Sequence, residues 1–139
     1  MDSLTPEQRS KLMAKVRAVD TLPELVVRKT IFRLGYRYRL HGKNLAGKPD
    51  IVFPSLKKVI FVHGCFWHQH KCPYGQRRPK SKRNFWTRKL EGNIKRDSRQ
   101  LSALRRLGWD VLVIWECQTR AKRFERLAVR IQRFLNKRA

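Results

Sequence analysis

Hydrophobic positions along this chain change period several times, and each change marks a boundary between predicted elements. Val27, Ile31 and Leu34 recur at helical spacing behind Thr21-Leu22-Pro23-Glu24. Thr21 suits the N-cap, Pro23 the first turn and Glu24 the third position of a capping box, while Gly35 ends the helix. Residues 36–40 alternate aromatic or apolar side chains with arginine, as a short strand does. Residues 50–53 and 58–63 read as two more strands, joined by Pro54-Ser55-Leu56-Lys57, a length that closes a hairpin. With Phe53 opposite Lys58, Asp50 shares a sheet face with Phe61 and His63, one diagonal step away. A bulge would overturn that register.

Residues 84–107 predict a long helix ended by Gly108, and 109–116 form a continuous apolar run expected to be buried on both faces. The last helix is amphipathic: Phe124, Leu127, Ala128, Ile131, Phe134 and Leu135 make one stripe, with Arg123, Arg126, Arg130 and Arg133 elsewhere. No internal repeat or low-complexity linker interrupts this order. The pattern α-β-β-β-α-β-α predicts an α/β fold, a single domain in which helices flank a mixed sheet. Residues 1–20 are polar and basic and read as an arm ahead of a domain spanning 21–139.

Charge changes the picture most. The 139 residues carry 34 Lys and Arg against 10 Asp and Glu, a formal net charge of +24. Such a surface repels itself unless a polyanion neutralises it, and nucleic acid gains affinity by releasing counterions. The basic residues crowd into 77–89, where Arg77, Arg78, Lys80, Lys82 and Arg83 lead seven cations without an acid, and into 120–138. No apolar run is long enough for a membrane span or a secretory h-region, so a soluble, intracellular protein is expected.

Cys65, His68, His70 and Cys72 fall within eight residues after a strand, and Cys117 ends the next core strand. A strand-helix-strand connection makes that pair parallel, so both C-terminal ends, with Cys65 and Cys117, meet at one sheet edge. Cys65, His70, Cys72 and Cys117 would then complete a tetrahedral structural Zn2+ site and leave His68 free. The alternative is three unrelated cysteines, two of them simply buried.

Asp50, directly after Gly47-Lys48-Pro49 at a strand start, is a hard oxygen ligand suited to catalytic Mg2+ and to phosphodiester hydrolysis, or else a turn cap. His63 on the same face and His68 just beyond it could transfer a proton or hold metal-bound waters, because imidazole titrates near neutral pH. Asp97 sits within a helical stripe of Leu90, Ile94, Leu101 and Leu104, where a carboxylate needs a partner: an imidazole of the site, or Arg96 or Arg99. Glu24 is a capping residue or a further acid of the site. Phe66, Trp67, Phe85 and Trp86 stand among the basic residues, where aromatic rings stack on bases or wedge between base steps, unless they fill core.

Taken in order and spacing, these residues resemble the very short patch repair endonuclease family. The resemblance runs through Arg9-Ser10-Lys11 with Met13, Asp20-Thr21 with Pro23-Glu24, Gly47-Lys48-Pro49-Asp50 and His63-Gly64-Cys65-Phe66-Trp67-His68 with His70 and Cys72. It continues through Phe85-Trp86, Asn93, Arg96-Asp97, Gly108-Trp109 and Trp115-Glu116-Cys117. It implies a restriction-endonuclease-like fold and an enzyme that nicks one strand beside a thymine mispaired with guanine, the product of 5-methylcytosine deamination. The implied partners are T:G-mismatched double-stranded DNA, a cytosine-5 DNA methyltransferase and repair machinery, with a monomer sufficient for nicking.

By position, the resemblance makes Asp50 the main Mg2+ ligand and places His63 and His68 in catalysis, with Glu24 and Asp97 supporting metal-bound waters or those histidines. Cys65, His70, Cys72 and Cys117 become Zn2+ ligands. Phe66, Trp67 and Trp86 become the wedge at the mismatch, while residues 1–20 grip the other groove. Two departures stand out. Phe61-Val62-His63 replaces the Glu-x-Lys of the wider nuclease fold, and Val62 occupies a position where relatives can carry Thr. A restriction-type endonuclease cutting intact duplex and a non-catalytic, zinc-stabilised DNA-binding protein are the competing readings; a duplex-cutting assay separates them.

Overall fold

The computed structural model describes residues 21–68, 70–73, 76 and 82–137. The proposed arm at 1–20, and Arg77, Arg78 and Lys80 among the expected DNA contacts, lie outside the described residues. Helix α1 spans Leu22–Arg33, strand β1 Arg39–Leu40, β2 Ile51–Phe53, β3 Lys58–His63, helix α2 Arg83–Arg106, strand β4 Asp110–Trp115 and helix α3 Phe124–Asn136.

The four strands lie in the order β1-β2-β3-β4. Three run antiparallel in meander fashion, and β4 joins β3 in parallel after the α2 crossover. Phe53 pairs with Lys58 as the loop length predicts, so no bulge shifts the hairpin. Its four connecting residues form a 3-10 turn over Pro54–Leu56, and Lys57 closes it in the left-handed region at φ 53°.

Side-chain alternation sends the two faces of this sheet into separate cores. On one face Ile51, Phe53, Ile60 and Ile114 pack against Val27 and Ile31 of α1 and Leu127, Ile131 and Leu135 of α3. On the other, Val52, Val59 and Phe61 pack against Leu104 of α2. At roughly 1.5–3 kcal/mol for each large side chain buried, these contacts hold three layers, helix on sheet on helix.

Three elements depart from their sequence patterns. The strand expected at 36–40 pairs only at Arg39–Leu40, because Tyr36 and Tyr38 turn into the first core instead of continuing a ladder. The apolar run of β4 is not buried on both faces: of its six residues only Ile114 is buried. β4 is the sheet's edge, and Arg130 of α3 covers part of it by donating to the Val113 carbonyl at 3.1 Å. Third, the stripe on α2 is buried at Leu90 and Leu104, but Ile94 in its middle is exposed, facing an open cleft.

Lys58 is a polar residue with a structural task. Its ammonium is buried against the C-terminal end of α3 and donates to the carbonyls of Phe134 at 2.6 Å, Leu135 at 3.0 Å and Lys137. Those carbonyls have no partner within the helix, and the positive charge complements the negative end of the helix dipole. Lys58→Met keeps the stem but strands the carbonyls, and should cost about 1–3 kcal/mol in urea unfolding. Unchanged stability would mean that water caps the helix equally well.

Candidate active site and metal centre

The turn before Asp50 is built by backbone constraint. Gly47 and Lys48 both adopt positive φ, at 73° and 49°, and Pro49 is fully buried. A Cβ on Gly47 would lie 3.0 Å from Gln100 Oε1 and 3.1 Å from Phe61 Cε1, so both the conformation and the space favour glycine. The chain thereby enters β2 with Asp50 held against β3, and Asp50 Oδ2 accepts from the Val62 N–H at 2.6 Å.

That contact carries the Asp50 carboxyl to the residue before His63. Burial pushes its pKa up from 3.8 to about 6, against the lowering effect of the Val62 hydrogen bond; Glu24 raises it further, and His41 and Arg28 lower it. Glu24 is buried and receives Arg28 Nη2 at 3.1 Å, while its backbone N–H donates to Thr21 Oγ1 at 3.4 Å. Thus Glu24 sits at the capping position and also acts electrostatically on Asp50. Arg28 and His41 had no motif to announce them. Arg28 could have been noticed as the i+4 partner of Glu24.

The second half of the site lies beyond Val62. His63 is buried and stacks on His68, with ring centroids 3.8 Å apart and planes 6° from parallel. His68 Nδ1 engages Asp97 Oδ2, which answers the expected partnership: Asp97 pairs with an imidazole. Because a carboxylate accepts, the proton between them belongs on Nδ1, leaving Nε2 of His68 as the free basic atom. Burial, then the neighbouring His68, lowers His63 to about 4, with Asp97 opposing. His63 is therefore a neutral imidazole at working pH. His63, His68 and Asp97 line a cleft of about 490 Å3 together with His70, Lys71, Ile94, Ser98, Leu101, Val113 and Trp115.

Cys65, His70, Cys72 and Cys117 come together as the sheet-edge argument predicts, each offering a ligand atom within 4.8 Å of the others. His70 Nδ1 lies 3.8 Å from Cys65 Sγ and 3.5 Å from Cys117 Sγ. Ligands about 2.0–2.3 Å from a tetrahedral ion stand at nearly these separations, so two sulfur–nitrogen edges of such a site are already in place. Three thiols and an imidazole are donors for a soft to borderline cation. The backbone N–H of Cys117 donates to Cys65 Sγ at 3.4 Å, the kind of contact that favours thiolate. Burial still pushes the Cys65 thiol up to about 12 and raises Cys117, a cost that a bound cation would reverse.

Next to this cluster, Phe66, Trp67, Phe85 and Trp86 form one aromatic group rather than separate core residues. Trp67 and Trp86 have ring centroids 5.9 Å apart, Phe66 and Trp86 5.7 Å, and Phe85 and Trp86 5.4 Å. Lys89 Nζ lies over it, 5.4 Å from the Trp67 ring and 5.8 Å from Trp86. Phe85 is exposed, the other three half-buried. Asn93 of α2 donates to the Trp67 carbonyl at 3.1 Å, fixing the loop that carries Trp67 and His68. Lys82 and Arg83 stand exposed at the start of α2 beside these rings. Exposed aromatic faces beside cations suit nucleic acid. No helix among the described residues is long and apolar enough to cross a membrane.

Comparison with known proteins bears on this geometry. Residues 1–74 match the family model described as DNA mismatch endonuclease Vsr. The chain is similar to the type II nicking enzyme V.XorIIP of Xanthomonas oryzae pv. oryzae, at 52% identity over 117 residues, or 84% of this chain and 85% of that protein. The type II nicking enzyme V.NmeAIP of Neisseria meningitidis is 43% identical over 121 residues, covering 87% of this chain and 86% of its own. DNA mismatch endonuclease Vsr of Escherichia coli is 40% identical over 114 residues, 82% of this chain and 72% of its own.

Proposed function

The chain belongs to the Vsr family of DNA mismatch endonucleases and is a DNA endonuclease, and from that premise we propose that it nicks one strand of duplex DNA beside the thymine of a T:G mismatch, using Mg2+. Such mismatches arise by deamination of 5-methylcytosine, so the enzyme works beside a cytosine-5 methyltransferase and hands the nick to repair enzymes. A monomer suffices, because one strand is cut.

The observation that carries this reading is the junction at Val62–His63. On one side stands a half-buried carboxylate with a raised pKa and a second acid acting on it; on the other stands an imidazole pair aligned by Asp97. Hard carboxylate oxygens in electrostatic conflict are a donor set that Mg2+ would satisfy, so Asp50 would hold the ion and Glu24 its waters. Bound there, Mg2+ would supply a polarised phosphate and an activated water. Asp97 holds His68 so that its Nε2 can accept or return a proton at the attacking or leaving oxygen. His63, uncharged and stacked on it, supports that ring without adding a competing charge. Asp50 binds Val62 through its backbone N–H, so the Val for Thr difference at that position leaves this contact intact.

Around this centre, Phe66, Trp67 and Trp86 would wedge into the duplex, with Arg77, Arg78, Lys80, Lys82 and Arg83 on phosphates and residues 1–20 along the opposite groove. The closed set of Cys65, His70, Cys72 and Cys117 would hold Zn2+ and brace the loop bearing Phe66, Trp67 and His68.

One assay tests the function. Labelled duplexes differing only in a T:G or a fully paired step are incubated with and without Mg2+, across several flanking sequences. Nicks confined to the T strand of the mismatched duplex are expected, at a rate at least about a hundred-fold above the paired control, equivalent to roughly 2.7 kcal/mol of discrimination. Equal cutting of paired DNA would make the enzyme restriction-like. Tight binding without cutting, with any divalent cation, would leave only a DNA-binding protein.

A further inference from the structure

In the sequence Trp115 stands at the end of an apolar strand and in the Trp115-Glu116-Cys117 motif, with no role of its own, yet its ring touches both the Cys/His cluster and the imidazole pair. β3 and β4 pair His63 directly with Trp115, so the parallel register itself sets the two side chains side by side. The indole stacks on His70, centroids 4.3 Å apart and planes 17° from parallel. It also meets His63 edge-on at 5.3 Å and 75°, and His68 at 6.3 Å and 69°. Its backbone N–H is fixed by Gln118 Oε1 at 2.9 Å. A continuous chain of rings thus runs from a member of the Cys/His cluster, through the indole, to the imidazole pair in the cleft.

We infer that Trp115 is a positioning residue that couples the Cys/His metal cluster to the His63–His68 pair. The inference rests on the proposed role of those histidines. Its physical basis is packing: a flat, rigid ring has few rotamers, so anchoring one face on His70 leaves an edge that limits how His63 and His68 can tilt. Asp97 holds His68 at a single atom, and the stacking of His63 on His68 fixes the two rings only relative to each other. Trp115 supplies the second restraint. Ordering of the metal cluster would then be felt at the imidazoles without any metal ligand entering the cleft.

Trp115→Phe, Trp115→Leu and wild type decide the matter, each assayed for metal content, duplex affinity, single-turnover nicking and the ring-proton contact between His63 and His68 by NMR. Leu keeps apolar volume in case a smaller residue fails to fold, but lacks a flat face. The expected result is a ten- to hundred-fold loss of nicking rate in Trp115→Leu. Metal content and duplex affinity should match wild type, the imidazole contact should weaken, and Trp115→Phe should recover most of the rate. A full rate in Trp115→Leu would overturn the inference, as would a loss confined to duplex affinity, or one matched by metal loss in both variants. If wild type does not nick at all, the functional reading fails separately. The NMR contact in Trp115→Leu still tests whether Trp115 holds the two rings.

Discussion

Asp50→Asn should lose nicking activity by roughly a thousand-fold or more, keep its affinity for duplex DNA, and melt at a higher temperature than metal-free wild type. The first part follows from chemistry: an amide still accepts from the Val62 N–H but is a poor ligand for a hard divalent cation. The last part follows from the folded environment. Asp50 is raised from 3.8 to about 6, mainly by burial, so its ionised form is disfavoured by folding. The sign is opposite to that of a salt-bridged aspartate. Its favourable contribution is present below pH 4, where the carboxyl is protonated in both states, and is lost as pH rises through about 6.

At 1.36 kcal/mol per pKa unit, ionisation costs metal-free protein at most about 3 kcal/mol above pH 6. The Asn variant escapes that cost, which for a domain of this size amounts to several degrees at pH 7.5 and much less at pH 4. Mg2+ should narrow the gap by stabilising wild type alone, and should bind wild type more weakly below pH 6, where protons compete. Melting curves at the two pH values, with and without Mg2+, check the stability claim; gel retardation and single-turnover nicking check the rest. Residual cutting near the wild-type rate would remove Asp50 from the catalytic centre. The proposed site would trade stability for function: the carboxylate whose charge burial disfavours would be the one that holds the metal.

Much of this arrangement was readable from local signals. The four-residue loop set the Phe53–Lys58 register, and with it the parity that places Asp50 beside β3. The strand-helix-strand order brought Cys65 and Cys117 to one end of the sheet. A lone carboxylate in an apolar stripe announced that Asp97 needed a partner. What stayed hidden depends on neighbours distant in sequence. The apolar run of β4 resembles a central strand, but among the described residues no further strand lies beside it, and five of its six residues are partly exposed. Lys58 read only as the first residue of a strand, because nothing near it in sequence tells of the carbonyls some 77 residues later. Trp115 read as core, since its meeting with three imidazoles follows from pairing across the sheet. Glu24 was ambiguous for a different reason: it occupies the capping position and lies within electrostatic reach of Asp50, so neither reading excluded the other.

Removing the cation proposed for the Cys/His cluster should have the second large effect. Purified protein is expected to carry about one zinc per chain, and Cys65→Ser or Cys117→Ser should lose it together with several kcal/mol of stability. Among the described residues between 64 and 82 there is no helix or strand, and few apolar side chains there reach either core. A segment with so little burial repays little of its ordering entropy, and the proposed metal clip would supply the restraint. Without it, Phe66, Trp67 and His68 lose their fixed positions, and nicking should fail even when Mg2+ is abundant.

Proton linkage gives a sharper version of the test. Cys65 stands at about 12 and Cys117 is raised in the metal-free state, so both are thiols at neutral pH and must release protons as the cation binds. With Cys72 that makes up to three protons, and apparent zinc affinity should rise by as much as about 10^3 per pH unit. Competition against a chelator between pH 6 and 8 measures that slope directly. A flat pH dependence, or full activity in protein shown to be zinc-free, would mean that the three sulfurs and His70 meet for packing alone.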